Sequence, residues 1–306
     1  MRNIIAIAGP TASGKSSLAV KLAKEIDAEI ISTDAVQVYK KLNIGSAKIT
    51  KEEMNGIKHY MIDEVEPDVD FNVNLFLNKA LKYVEKIFEK GKDVIVVGGS
   101  MLYTDSLMYD SYDFPKFDEK VREELELIYK KEGKGYLHKL LKEIDEESAK
   151  KIHENNVKRV IRAIEIYKNT GIKKSEIDKK NNEFRYENTY YYFLNANRKK
   201  VYEKIDKRVD LMVEEGLIEE VTGLLKLGYD ERYTSMNSLG YKQIIDYLKG
   251  RCSLEEAMYI IKRDTRHFAK RQYTWYNSER RKNVKKIDIE NEKDITNLIK
   301  GDIKWS

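Results

Sequence analysis

The chain has 306 residues, enough for one large domain or two with a sizeable buried core. Its formal charge of +5 is mildly basic and by itself weak evidence for nucleic acid. A single cysteine, Cys252, excludes an internal disulfide framework and fits a reducing cytoplasm, while no apolar run approaches transmembrane length.

Asn3 to Ala8 reads as a strand and leads straight into Gly9-Pro10-Thr11-Ala12-Ser13-Gly14-Lys15-Ser16, so it is not read as a signal peptide. The spacing Gly9-x4-Gly14-Lys15-Ser16 matches the P-loop template, a motif shared with ATP-binding proteins. Its glycines allow a tight turn whose N–H groups point at an anion, and the helix that follows, 16–27, adds a partial positive charge there. Lys15 supplies a full charge, and the Ser16 hydroxyl can bind magnesium.

Glu29 to Thr33 is a second strand with Asp34 at its exit, 74–90 is an amphipathic helix, and 94–97 a further strand. Alternating strands and helices imply an α/β fold: a P-loop NTPase-like parallel sheet with helices on both faces. Ligands sit at the carboxyl ends of such strands, where the P-loop, Asp34 and Gly98-Gly99-Ser100 can converge. P-loop NTPases usually carry a metal-holding carboxylate at a second strand end. Here that end is Gly98-Gly99-Ser100, which favours a reaction in which the phosphate group leaves intact.

From about Phe117 to Glu187 the chain is charged and helical in pattern, with helices over 119–131, 135–144 and 157–168. Tyr190 to Ala196 returns as a strand, so 117–187 is a helical insertion in a core of 1–116 and 188–306. Long helices are expected at 198–227 and 254–276, and the tail from about Val284 reads as peripheral.

Asp34 is placed to accept a proton or to hold magnesium through water, or it is a helix N-cap; spacing alone leaves both readings open. Lys158, Arg159 and Arg162 share one region of an insertion helix, either as a solvated charged face or as RNA phosphate contacts. Asn237 to Gln243 joins two helical regions, either as an ordinary turn or with Tyr241 as a stacking face. Residues 262–286 hold ten Lys/Arg against two acids, interleaved with aromatics. The four histidines show no metal-ligand spacing.

Six blocks in order, from Ile4 to about Tyr276, resemble the tRNA dimethylallyltransferase (tRNA isopentenyltransferase) family. They are 9–16; Ser32 to Tyr39 with Asn43 to Lys48; Val97 to Tyr103; Arg159 to Gly171; Gly240-Tyr241-Lys242; and Thr265-Arg266-x-x-Ala-Lys270-Arg271-Gln272-x-Thr-Trp275. The resemblance implies transfer of a dimethylallyl group from dimethylallyl diphosphate to N6 of the adenosine just 3′ of the anticodon, in tRNAs reading codons that begin with U. The products would be N6-dimethylallyladenosine and diphosphate. It implies that Gly9 to Ser16, with Lys204 and Arg208, hold the diphosphate, with Mg2+ on Ser16. Lys15, Ser16 and Asp34 would be catalytic, Asp34 as general base. Asp34, Ala35, Val36, Gln37 and Ser100 would line the nucleotide channel. Lys158, Arg159, Arg162, Asn237, Gly240, Tyr241, Lys242, Arg266, Lys270 and Arg271 would contact the tRNA anticodon stem-loop. Departures include Ala35 for a frequent Ser, Ser100 for Thr, and Lys204 for an arginine, which keeps the charge but loses the bidentate fork. The rivals are a prenyltransferase acting on free AMP or ATP, which needs no stem-loop clamp, and a P-loop small-molecule kinase. The expected setting is cytoplasmic, with no obligate protein partner.

Overall fold

The computed structural model describes residues 2–110, 118–179 and 183–303. The chain divides into two compact units, one of Met1–Met108 with Phe184–Ser306, the other of Tyr109–Glu183. The expected boundary at 116–117 lies outside the described residues.

In chain order the first unit contains β1 (Ile4–Ala8), α1 (Lys15–Glu25), β2 (Ala28–Ser32), α2 (Lys51–Met54), β3 (His59–Tyr60), α3 (Val73–Glu89), β4 (Asp93–Gly98) and α4 (Met101–Met108). The second unit contains α5 (Glu119–Ile144), α6 (Glu146–Lys151), α7 (Val157–Thr170) and α8 (Lys174–Lys179). The chain then returns to the first unit as β5 (Thr189–Asn195), α9 (Arg198–Glu214), α10 (Leu217–Lys226), α11 (Tyr241–Leu248), α12 (Leu254–Tyr276), β6 (Lys285–Asp288) and α13 (Ile295–Asp302).

The strands form one sheet in the order β3-β2-β4-β1-β5-β6, all neighbours parallel. β1 is apolar throughout because it is central and covered on both faces; each of its residues is buried. Its register is pinned at the start, where Asn3 N and Nδ2 donate to the two carboxylate oxygens of Asp93 at 2.8 and 3.0 Å. On one face Ile5, Ile7, Ile30, Ile95 and Val97 pack against Leu22 and Ala23 of α1 and Ile299 of α13. On the other, Phe193 stacks on Tyr276 of α12 at 4.7 Å, and Tyr191 Oη donates to Asp105 of α4 at 2.9 Å.

Two expectations are corrected. The stretch 198–227 is two helices, because Gly216 (φ 100°) caps the second in the left-handed region. The tail is not peripheral: β6 extends the sheet beside β5, and Ile287, Ile299 and Ile303 are buried in the main core. Its charge misleads because only Ile287 of the edge strand faces inward.

In the second unit, α5 bends at Gly133 (φ 81°, ψ 178°), and Leu125, Leu137 and Leu141 pack on Val160, Ile161 and Ile164 of α7. Asp145 joins α6 to α8: its carboxylate accepts from Ser148 N at 3.0 Å, Ser148 Oγ at 2.6 Å and Ser175 N at 2.9 Å.

Candidate active site

The loop after β1 takes left-handed backbone at Gly14 (φ 84°), which glycine adopts freely, and at Ala12 (φ 63°), where the Cβ makes it costly, so strain is stored at Ala12, where an anion would sit. The N–H groups of Gly14, Lys15 and Ser16 find no acceptor among the described residues. The Ser13 hydroxyl is buried without a partner as well. Together these donors form a cradle built for an oxyanion.

Lys15 opens α1, and its Nζ donates to Pro10 O at 3.1 Å. Burial, then repulsion from Arg208, pushes its ammonium down to about 8, against the attraction of Asp34. Arg208 comes from α9 and reaches Thr11 Oγ1 at 3.5 Å; its own burial also works against its charge. Two cations held close together at an energetic cost mark a site that an anion would relieve.

Asp34 follows β2, whose exit is fastened to β4. Thr33 N donates to Val97 O at 2.8 Å, and Ser100 N to Thr33 O at 3.1 Å. Gly98 must be glycine, since a Cβ there would fall 2.4 Å from Thr33 Oγ1 and 2.5 Å from its carbonyl carbon. Asp34 Oδ1 accepts from Val36 N at 2.8 Å and Gln37 N at 3.2 Å, which is the capping geometry. Oδ2 takes no donor among the described residues and lies beside Gly99. The two readings of Asp34 are therefore compatible: one oxygen orders the turn and the other is left for chemistry. Gln37 Nε2 in turn donates to Ser46 O at 3.3 Å and Ala47 O at 3.1 Å.

Two cavities meet here. The first, about 610 Å³, holds Thr11, Lys15, Ser16, Asp34, Gln37 and Arg208. The second, about 660 Å³, holds Ala35, Val36, Ser100, Asn237, Gly240, Lys242 and Arg271, with an apolar side from Ile205, Val209, Met212 and Phe268. Thr11, Asp34, Ser46, Ala47, Gly99, Arg208 and Phe268 line both, so a small reactant in one can meet a second in the other at Asp34. Arg271 lies over the Phe268 ring at 5.5 Å.

Other expected site residues lie elsewhere. Tyr241 is not a stacking platform: its ring is fully buried, and its hydroxyl donates to Glu220 Oε1 at 2.7 Å. Lys204 and Lys270 are exposed and line neither cavity. Arg266 turns to α9, where it pairs with Asp206. Lys158 and Arg159 are exposed on α7 of the second unit, while Arg162 pairs with Glu165 at 2.8 Å.

Gln272 was missed as a site residue. It is 1% exposed, its Oε1 accepts from Thr11 N at 3.0 Å, and its Nε2 donates to Gly99 O at 2.8 Å. It ties the P-loop to the loop after β4. Two signals were available: its place in the block Thr265 to Trp275, and a lone amide on the apolar face of α12. No cluster of three or more His, Cys, Asp or Glu able to hold a metal occurs among the described residues. Nor is any helix there long and apolar enough to cross a membrane.

Residues 37–280 match the family described as IPP transferase. A tRNA dimethylallyltransferase of Acetivibrio thermocellus is 50% identical over 279 residues, covering 90% of this chain and 89% of that protein. The structure of the full-length tRNA isopentenylpyrophosphate transferase from Bacillus halodurans superposes with a TM-score of 0.72 at 39% identity, covering 98% of this chain and 96% of that one. A eukaryotic dimethylallyltransferase, solved acting on tRNA, gives a TM-score of 0.83 at 27% identity, covering 98% of this chain and 78% of that one.

Proposed function

The chain belongs to the IPP transferase family, and on that premise we propose that its P-loop holds dimethylallyl diphosphate while Asp34 serves an adenine amine. It is a tRNA-modifying prenyltransferase, the activity named for its relatives. The observation that carries the site assignment is the shared wall of the two cavities: the anion cradle opens on one side of Asp34 and the apolar and basic side chains on the other.

In this reading the carbon–oxygen bond of dimethylallyl diphosphate breaks and N6 of adenosine bonds to the freed allylic carbon. The N6 proton passes to Asp34 Oδ2, and diphosphate leaves whole. The unpartnered loop N–H groups, Lys15 and Arg208 stabilise the charge growing on that leaving group. The amine is scarcely basic, so its proton departs during or after attack and Asp34 needs no unusual affinity for it. A hydroxyl and a carboxylate in one cavity are a hard-oxygen set that fits Mg2+, with Ser16 as its protein ligand and most other ligands from diphosphate and water. The ion would supply further neutralisation of the diphosphate. The absence of a carboxylate at Gly98 to Ser100 supports group departure over phosphoanhydride hydrolysis.

The target adenosine, just 3′ of the anticodon, must leave its stack to reach Asp34. Lys242, Asn237 and Arg271 around the second cavity supply polar and cationic contacts for the flanking nucleotides. The insertion, with Lys158 and Arg159, is proposed to grip the stem-loop, and the setting is cytoplasmic. The test is incubation with dimethylallyl diphosphate, magnesium and unmodified tRNA, followed by mass spectrometry of the nucleosides. Dimethylallyladenosine from tRNA is expected; AMP used equally well would move the substrate to free nucleotide, and ATP turnover without an adduct would end the reading.

A further inference from the structure

We infer that Glu220 is a positioning residue for the prenyl transfer: it sets the 43–47 turn and, through Gln37, the Asp34 carboxylate. This rests on the reading of Asp34 given above. Glu220 sits in the first turn of α10, far in sequence from the P-loop. Its carboxylate accepts from three successive backbone N–H groups: Asn43 at 2.9 Å, Ile44 at 2.9 and 3.1 Å, and Gly45 at 3.3 Å. The Tyr241 hydroxyl adds a fourth donor at 2.7 Å. Converging N–H groups of this kind form an anion-binding nest, filled here by a side chain of the protein itself.

The nest is tightly specified. A Cβ at residue 45 would fall 2.6 Å from Tyr241 Cε2, so the turn lies flat on that ring only because residue 45 is glycine. Beyond the nest, the carbonyls of Ser46 and Ala47 hold the Gln37 side chain, and Gln37 N donates to Asp34 Oδ1. Hydrogen bonds alternating with short stretches of main chain and the Gln37 side chain thus link α10 to the carboxylate that meets the amine. The same turn lines the second cavity together with Gly240 and Lys242, and a Cβ at residue 240 would fall 3.6 Å from Gly45 O. Glu220 therefore fixes both the direction of Asp34 Oδ2 and the wall against which the flipped base rests. Misplacing a reacting group by about 1 Å can cost about 100-fold in rate.

The experiment compares Glu220→Gln with Glu219→Gln, which removes the same charge one residue away at an exposed position. Glutamine keeps the shape of Glu220 but turns one acceptor oxygen into a donor facing other donors. The expected result is a kcat lower by about 10- to 100-fold for Glu220→Gln. The KM for dimethylallyl diphosphate should change little, the melting temperature should fall by a few degrees because donors to a charged acceptor lose their match, and Glu219→Gln should match the parent in both kcat and melting. In a Gln37→Ala background, Glu220→Gln should cost much less, because the relay is already cut. Parental kcat in Glu220→Gln, or a loss that adds in full to that of Gln37→Ala, would overturn the inference. If Glu220→Gln does not fold, Tyr241→Phe serves instead: it removes one donor and keeps the ring. Its kcat must fall, and the fall must vanish with Gln37→Ala; parental kcat overturns the inference equally. A parent that fails to prenylate tRNA would remove the underlying reading, whereas a working parent indifferent to Glu220 removes only this step.

Discussion

Replacing Gln272 by leucine is expected to loosen the cradle without touching any group that contacts the reacting atoms. The side chain is 1% exposed and makes two hydrogen bonds, from Thr11 N at 3.0 Å and to Gly99 O at 2.8 Å. Leucine fills a similar volume but leaves both partners unmatched. Gly99 is buried, so its carbonyl loses its partner where water is excluded, at about 1–3 kcal/mol. Thr11 is half-buried at the cavity mouth, and its N–H can turn to water, so its share lies at or below the lower end of that range. The sum is about 1–4 kcal/mol. At about 2–4 °C per kcal/mol for a unit of this size, the melting temperature should fall by roughly 2–16 °C. Because Thr11 lies in the P-loop, the KM for dimethylallyl diphosphate should rise more than the affinity for tRNA falls. Thermal unfolding and steady-state kinetics with each substrate varied would measure both. A leucine variant that melts with the parent and has parental kinetics would refute the role of Gln272 as the tie between the two loops.

Asp34→Asn keeps an oxygen for the Val36 and Gln37 N–H groups, so fold and tRNA binding should persist while kcat drops by about 10²- to 10⁴-fold; undiminished turnover would discard Asp34 as the base. Lys15 loses its proton near pH 8 in the free enzyme, so kcat/KM for dimethylallyl diphosphate should fall as pH rises through about 8, an inflection that Lys15→Arg should abolish. Burial alone would raise the Asp145 carboxyl, but the hydrogen bonds from Ser148 and Ser175 outweigh it and hold it at about 2. The second unit should therefore keep about 2 kcal/mol from this group above pH 4 or so and lose it as pH falls through about 2. Asp145→Asn should flatten that acid limb in circular dichroism. Ile299→Ala should destabilise by about 2–5 kcal/mol in a denaturant titration, since Ile299 is fully buried; a peripheral tail would show no change.

What could be read in advance was local. The P-loop is a contiguous string whose glycines and lysine have one physical use together, and the apolar runs of β1, β2 and β4 are legible because both sheet faces are covered. The helical periods of α3 and α7 likewise follow from a single buried stripe. What escaped depends on partners distant in the chain. Tyr241 looks like a stacking residue until Gly45 closes on it, and Arg266 looks like a phosphate ligand until Asp206 of α9 lies opposite. Gln272 stands in the last of the family-like blocks but its partners, Thr11 and Gly99, are named by nothing in that block, and Glu220 carries no motif at all; each matters because of segments that only the fold brings near. β6 was hidden by its lysines, since an edge strand needs only one inward residue.

The position of β1 has a bearing on how the chain is born. The strand that carries the cradle is made first, yet one of its two flanking strands, β5, is made only after the whole second unit has been synthesised. Pairing across such a span is slow, whereas the helices of the second unit contact near neighbours and can form while translation continues. The Gln272 tie to Thr11 arrives later still. A nascent polypeptide on the ribosome should hence be incapable of seizing its prenyl donor until almost its entire length has emerged, and ligand would then lock the finished sheet rather than seed it.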